Sequence, residues 1–261
     1  MKHLVIPDCQ VKPGNSVEYL KWIGKYIVEK QPEVIVCIGD FADMPSLSSY
    51  DVGKKVFEGR TYKADIKAVH KGMEALLEPM WKLQEKQRKA KRKLYTPRMV
   101  MTLGNHEDRI DRAINNDRKL EDLISMGDLN YEQYGWEVYP FLDVVVIDGI
   151  AYSHYFASGV MGRPITSART LLTRKHMSCF AGHQQGRQIA YGARADGREI
   201  TAIIAGSCYE HDEGYLSPQT NSHWRGFYVL HEVDDGAFDE MAVSIGYLHR
   251  KYGKKKLDKA V

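Results

Sequence analysis

Apolar runs of four to eight residues recur along the chain, and most of them stop on glycine or on a polar side chain. Short apolar runs bounded by turn residues read as buried strands. "HLVI" (3–6) leads to Asp8, "EVIVCIGD" (33–40) stops on Gly39-Asp40, and "RMVMTLGNHED" (98–108) stops on Gly104-Asn105-His106. "DVVVIDGIAYSHY" (143–155) predicts a hairpin around Asp148-Gly149 whose second strand ends on His154, and "HMSCFAGHQQ" (176–185) stops on Gly182-His183. "EITAIIAGS" (199–207), "GFYVLHEV" (226–233) and "MAVSIGYL" (241–248) predict three more strands. Val17, Leu20, Ile23, Ile27 and Val28 repeat at helical spacing over 16–30, and 62–94 predicts one long or two shorter helices. There is no internal repeat and no low-complexity linker. A single domain is expected over 1–250, with a helical, basic insert at about 50–97 and a basic, flexible tail at 251–261.

The strand ends carry the chemistry. Five of them present Asp8, Asp40, Asn105, His154 and His183, all of metal-binding type, and glycine precedes three of the five. Any one alone reads as a turn residue or a structural histidine. Turns would not select two aspartates, an asparagine and two histidines in series. Carboxylate, amide and imidazole together suit a divalent ion of the Mn, Fe or Zn type. Composition changes this picture little: 43% hydrophobic, 27% charged and a net charge of +3 describe an ordinary soluble chain that permits an anionic partner without demanding one. Cys9, Cys37, Cys179 and Cys208 are scattered through apolar runs, as suits reduced, buried thiols of a cytosolic protein. No stretch approaches the roughly 18 apolar residues of a membrane span, and the N-terminus lacks the apolar region of a signal peptide.

In order, Asp8-Cys9-Gln10, Gly39-Asp40-Phe41-Ala42-Asp43, Gly104-Asn105-His106-Glu107-Asp108, His154 and Gly182-His183-Gln184-Gln185 resemble the motifs of the calcineurin-like metallophosphoesterases. The resemblance spans residues 1 to about 235, and its polar insert looks most like phage-type members, which implies the cytoplasm, that of a host if the gene is a phage's. It implies an α/β fold, a two-sheet β-sandwich flanked by helices. It also implies two divalent metal ions across the strand ends, Mn²⁺ foremost, with Mg²⁺, Fe, Zn²⁺ or Ni²⁺ as alternatives. One ion would be held by Asp40, Asn105, His154 and His183, with Asp40 bridging to the other and a metal-bound hydroxide attacking phosphorus. His106 would protonate the leaving oxygen, and Asp43 would orient that imidazole. Arg109 would contact a phosphate oxygen, although a solvated helix N-terminus fits Arg109 equally.

The departures fall on the other ion. Its family ligands are the Asp and His of D-x-H, the bridging Asp and the last His of GH-x-H, and here both histidines are glutamine, Gln10 and Gln185. An amide oxygen serves a hard cation but is a poorer ligand than imidazole for a borderline metal. The expectation is a site shifted to Mn²⁺ or Mg²⁺ through Asp8, Gln10, Asp40 and Gln185. A site filled only with substrate phosphate, a single-metal enzyme or a silent relative remain as alternatives. His211 is either a substitute ligand or an ordinary loop residue.

Substrate clues are weaker. "KLQEKQRKAKRKLYTPR" (82–98) and "HRKYGKKKLDK" (249–259) are basic, either as solvated faces or as surfaces for a polyanion. Tyr155, Phe156 or Trp224 could stack on a base, and the Gly-rich loop 157–169 could carry Arg163 over a phosphate or simply cap the next helix with Thr166 or Ser167. The reading is a phosphodiesterase or nuclease acting on nucleic acid or nucleotides. The alternatives are a phosphomonoesterase and a catalytically weakened nucleic-acid-binding relative.

Overall fold

The structure, a computed structural model, describes residues 1–213 and 218–253. Most of the basic tail expected at 251–261 therefore lies outside the described residues. In chain order the elements are β1 (His3–Ile6), α1 (Glu18–Lys30), β2 (Val34–Cys37), α2 (Tyr62–Lys89), β3 (Arg98–Thr102), α3 (Arg109–Asn116), β4 (Glu137–Tyr139), β5 (Val145–Ile147) and β6 (Ile150–Ser153). They continue with β7 (Ala157–Ser158), β8 (Arg163–Pro164), α4 (Ala168–Lys175), β9 (Ser178–Ala181), β10 (Gln188–Ala193), β11 (Glu199–Ile204), α5 (Pro218–Asn221), β12 (Gly226–Asp234), β13 (Ala237–Ser244) and α6 (Ile245–Tyr252).

Two sheets stack face to face. One has the order β13-β12-β1-β2-β3-β4 and the other β10-β11-β9-β6-β5. β1 to β4 run parallel, as do β6, β9 and β11. Alternation along β1 and β2 explains the layering, because successive side chains point to opposite faces. Val5, Val34, Val36 and Ile38 meet Ile150, Tyr152, Phe180 and Ile203 of the other sheet between the layers. Leu4, Ile6 and Ile35 face outward onto α1 and α2, which contribute Leu20, Ile23, Ile27, Val69, Met73 and Leu76. On the opposite outer face α4 covers the second sheet with Leu171 and Leu172. The helix-flanked sandwich expected from the motifs is the fold observed.

The strands that lead to the candidate site residues run parallel to one another in each sheet, β1 with β2 and β3, and β6 with β9, so Asp8, Asp40, Asn105, His154 and His183 emerge at one common edge. The hairpin expected at Asp148-Gly149 is there, with Ile147 paired to Ile150 and both turn residues at positive φ (49° and 81°), as a tight two-residue turn requires. Residues 62–94 hold one helix rather than two. The strand expected at 241–248 ends at Ser244, whose side chain accepts the Tyr247 N–H and starts α6, with Ile245 and Leu248 buried on one face. β4 and β10 were not legible in the sequence, being edge strands with mostly exposed or half-buried positions. No described helix is long and apolar enough to cross a membrane.

Candidate metal centre

Backbone geometry first sets the side chains. Asp40 (φ 48°), His183 (φ 66°) and Gln10 (φ 44°) all sit in the left-handed region, which costs non-glycine residues of order 1–3 kcal/mol each and clusters at functional sites. The preceding glycines work in different ways. Gly39 turns at φ +87°, whereas Gly104 is needed for close approach, since a Cβ there would lie 2.1 Å from Asp40 Oδ1. Glu107, overlooked in the motif, ties the loops together. Its carboxylate accepts the N–H groups of Asp40 (3.0 Å), Ala42 (2.8 Å) and Gly104 (2.9 Å). Burial, then the nearby Asp40 charge, push it up to about 7.

One set of ligating atoms converges tightly. Donor atoms of Asp40, His154 and His183 all lie within 4.8 Å of one another. His154 Nδ1 donates to the Ile38 carbonyl at 2.9 Å, so in the neutral ring Nε2 keeps its lone pair. That Nε2 is 2.9 Å from Asn105 Oδ1 and 3.4 Å from Asp40 Oδ2, and His183 Nδ1 is 2.8 Å from the same amide oxygen. With the amide oxygen turned that way, the lone pairs of His154 Nε2 and Asn105 Oδ1 face each other, an arrangement that wants a cation between them. Burial, then the neighbouring His154, bring His183 down to about 4, and burial lowers His154 too, so both rings are neutral near pH 7.

The second set is richer in oxygen. Asp8 is fully buried, its carboxylate accepts the His183 backbone N–H (3.0 and 3.1 Å), and it meets no Lys or Arg among the described residues. Burial, then the Asp40 charge, push Asp8 well above the usual carboxylate range. Asp40 is held below that range against its burial, first by His106 and then by His154. Gln10 is 2% exposed and its Oε1 has no hydrogen-bond partner among the described residues. A buried carbonyl oxygen left unpaired costs roughly 1–3 kcal/mol, and a cation would satisfy it. Gln185 differs from Gln10: its Oε1 accepts the Tyr209 hydroxyl at 2.6 Å. The residues present fit divalent cations.

Beside these atoms lies a third imidazole, that of His106. His106 Nδ1 is 2.9 Å from Asp43 Oδ1, and its Nε2 is 3.7 Å from Asp40 Oδ2. Burial alone would lower His106, but Asp40 and then Asp43 raise it above the ordinary histidine value. Arg109 opens α3, yet it is not a solvated helix start. It donates to the carbonyls of Asp43 (2.8 Å) and Met44 (3.3 Å) and lies 3.1 Å from His106 Nε2. These groups open into a cleft of about 910 Å³ that runs from Asn105, His106, Arg109 and His183 to Tyr50, Val56 and Arg60.

Other expected residues fall elsewhere. Arg163 lines a separate hollow of about 270 Å³ with Arg174, away from the cleft, and Ser167 is the N-cap of α4. Phe156 is buried, and Trp224 carries Arg187 over its ring. Tyr155 packs on His183 with ring centroids 5.0 Å apart. His211 bonds Glu213 at 2.6 Å and stacks on Tyr209, the place of a loop residue rather than a ligand.

The profile of the calcineurin-like phosphoesterase family (Metallophos) matches residues 1–183. No curated protein matches the chain. One solved structure aligns with 94% of this chain and 98% of its own length, at 11% identity and a TM-score of 0.42.

Proposed function

The chain belongs to the calcineurin-like phosphoesterases, and we propose that it is a phosphodiesterase acting on nucleic acid or nucleotides. That it is a metal-dependent phosphoester hydrolase follows from the family. The observation that supports the finer reading is the cleft itself. It opens at the His106–Asp43 pair and continues to Tyr50, an aromatic side chain 81% exposed beside Lys54 and Arg60. A phosphorus held at the metal centre then has room for a second esterified group along the cleft, and Tyr50 offers a face for a base. The cleft mixes Lys12, Lys54, Arg60 and Arg109 with Asp43, Asp51, Glu58, Asp65, Asp212 and Glu213, which suits a nucleotide-sized ester or a single-stranded end better than a long duplex.

In this reading Asp40, Asn105, His154 and His183 would hold one divalent ion. Asp8, Gln10, Asp40 and Gln185 would hold the other, with Mn²⁺ the expected ion. Such ions, when bound, polarise phosphoryl oxygens and lower the pKa of bound water. The chain supplies the rest. His106 delivers the proton from Nε2 to the leaving oxygen, while Asp43 holds Nδ1 and keeps the ring turned toward the cleft. The Arg109 contact to Nε2 suits the neutral ring, so Arg109 moves off when that nitrogen is protonated and is then free to meet a phosphate oxygen. The four free, buried cysteines fit a reducing, cytoplasmic setting.

The test is turnover by Mn²⁺-loaded protein on bis-p-nitrophenyl phosphate, p-nitrophenyl phosphate and single-stranded DNA. Diester cleavage at least about 10-fold faster than monoester cleavage is expected. Faster monoester cleavage would make the protein a phosphatase, and no turnover with any metal would remove the hydrolytic reading.

A further inference from the structure

Lys12 lies just after the Asp8-Cys9-Gln10 turn, in no motif discussed above. Backbone pairing brings it beside Asp43: Val11 bridges Ala42, and the Asp43 N–H donates to the Val11 carbonyl at 3.0 Å. Its ammonium lies 3.0 Å from Asp43 Oδ2 and 2.6 Å from Glu213 Oε1. Both carboxylates are buried, with Asp43 7% and Glu213 5% exposed. Glu213 is itself fixed, since its N–H donates to Asn221 Oδ1, Asn221 Nδ2 donates back to its carbonyl, and His211 Nε2 meets the same Oε1.

The two oxygens of Asp43 have different partners. Oδ1 takes His106 Nδ1 at 2.9 Å and the more distant Arg109 at 3.5 Å, while Oδ2 takes Lys12. The terminal torsion of an aspartate is broad and roughly two-fold, so a single hydrogen bond does not fix the carboxylate plane. Donors on opposite oxygens do. Lys12 is also the cation shared by two buried carboxylates, and its removal leaves both charges poorly compensated. We propose that Lys12 is a positioning residue for His106, acting through Asp43 and anchored by Glu213. The inference rests on the hydrolytic reading of the site, in which His106 protonates the leaving oxygen.

A group that acts through the acid matters only where the leaving oxygen needs a proton. Lys12→Met should lower kcat about 10- to 100-fold on phenyl esters, a fraction of the range for general acid catalysis. On p-nitrophenyl esters, whose leaving group departs unprotonated, the loss should stay within about 3-fold, with KM changed little and Lys12→Arg restoring most of the rate. In a His106→Ala background, Lys12→Met should have no further effect. Equal losses on both leaving groups, or additive losses in the double variant, would overturn the proposal. A second readout is independent of turnover: the downfield ring N–H proton of His106 in the NMR spectrum, assigned by its absence in His106→Ala. It should shift or vanish in Lys12→Met and return in Lys12→Arg. An unchanged resonance in Lys12→Met overturns the positioning role even if the protein hydrolyses no ester, whereas a lost resonance with no hydrolysis would fault the functional reading alone.

Discussion

Asp40 lies between the candidate ligands and His106. Its Oδ1 accepts the His106 backbone N–H at 2.9 Å, and its Oδ2 lies 3.4 Å from His154 Nε2 and 3.7 Å from His106 Nε2. Asp40→Asn should therefore lose bound metal and activity together, whereas His106→Ala should lower the rate on phenyl esters, whose leaving oxygen needs a proton, about 10²- to 10⁴-fold with metal content intact, both read by metal analysis beside turnover. Glu107 works at one remove. In Glu107→Gln an amide NH2 must face backbone N–H groups that now donate to a carboxylate oxygen, a conflict worth about 1–3 kcal/mol, measurable as a drop of several degrees in Tm. His183 makes a pH prediction for metal-free protein. Its folded value of about 4 lies below its ordinary 6.5, so the unfolded chain binds the proton first. Stability from this residue is present above 6.5 and is lost as the pH falls toward 4, and chemical denaturation across that window in His183→Gln should show a shallower fall. The ligand-type residues were legible because each follows an apolar run. Glu107 was hidden inside a motif whose other members drew attention, and Lys12 and Glu213 lie 201 residues apart, a pairing that no local pattern announces.

Among the elements, parallel strands decide where the chemistry collects. β1, β2 and β3 in one sheet and β6 and β9 in the other all point their carboxyl ends at the cleft, so five separate turns become one site. Strands with both faces buried were legible as apolar runs. β10 was not, because four of its six positions are exposed, and packing rather than pattern makes it a strand. The misplaced boundary at 241–248 has a local cause in Ser244. Its hydroxyl caps α6 at 3.1 Å from the Tyr247 nitrogen, and a serine inside an apolar run can be a strand residue or a helix start. Ser244→Ala should cost about 1 kcal/mol, or roughly 2–4 °C in Tm for a chain of this size. A change below 0.3 kcal/mol in a denaturant titration would mean that α6 is held by Ile245 and Leu248 alone.

At the scale of the whole molecule, the basic stretch and the cleft lie at opposite ends of a helix. α2 has 28 residues and starts at Tyr62 beside the cleft, so it carries Lys86, Arg88 and Lys89 about 40 Å away. That distance sets the basic stretch too far from the cleft to touch a small ester bound there, a point the sequence could not show without the direction of α2. Replacing Lys86, Arg88 and Lys89 with glutamine should leave kcat/KM within about 2-fold on small diesters and on single-stranded DNA. A steep loss on DNA, with a reduced salt dependence, would instead place the polyanion along α2.

The central claim, that this edge of the sandwich holds divalent metal ions which drive ester cleavage, is tested most directly by counting ions. Metal-stripped protein would be dialysed against Mn²⁺, its metal content measured by mass spectrometry, and the same sample assayed on bis-p-nitrophenyl phosphate. Two ions per chain with diester cleavage, and loss of both in Asp40→Asn, is the predicted result. One ion would mean that Gln10 and Gln185 do not serve as ligands, and a chain that takes up no Mn²⁺ at all would contradict the account.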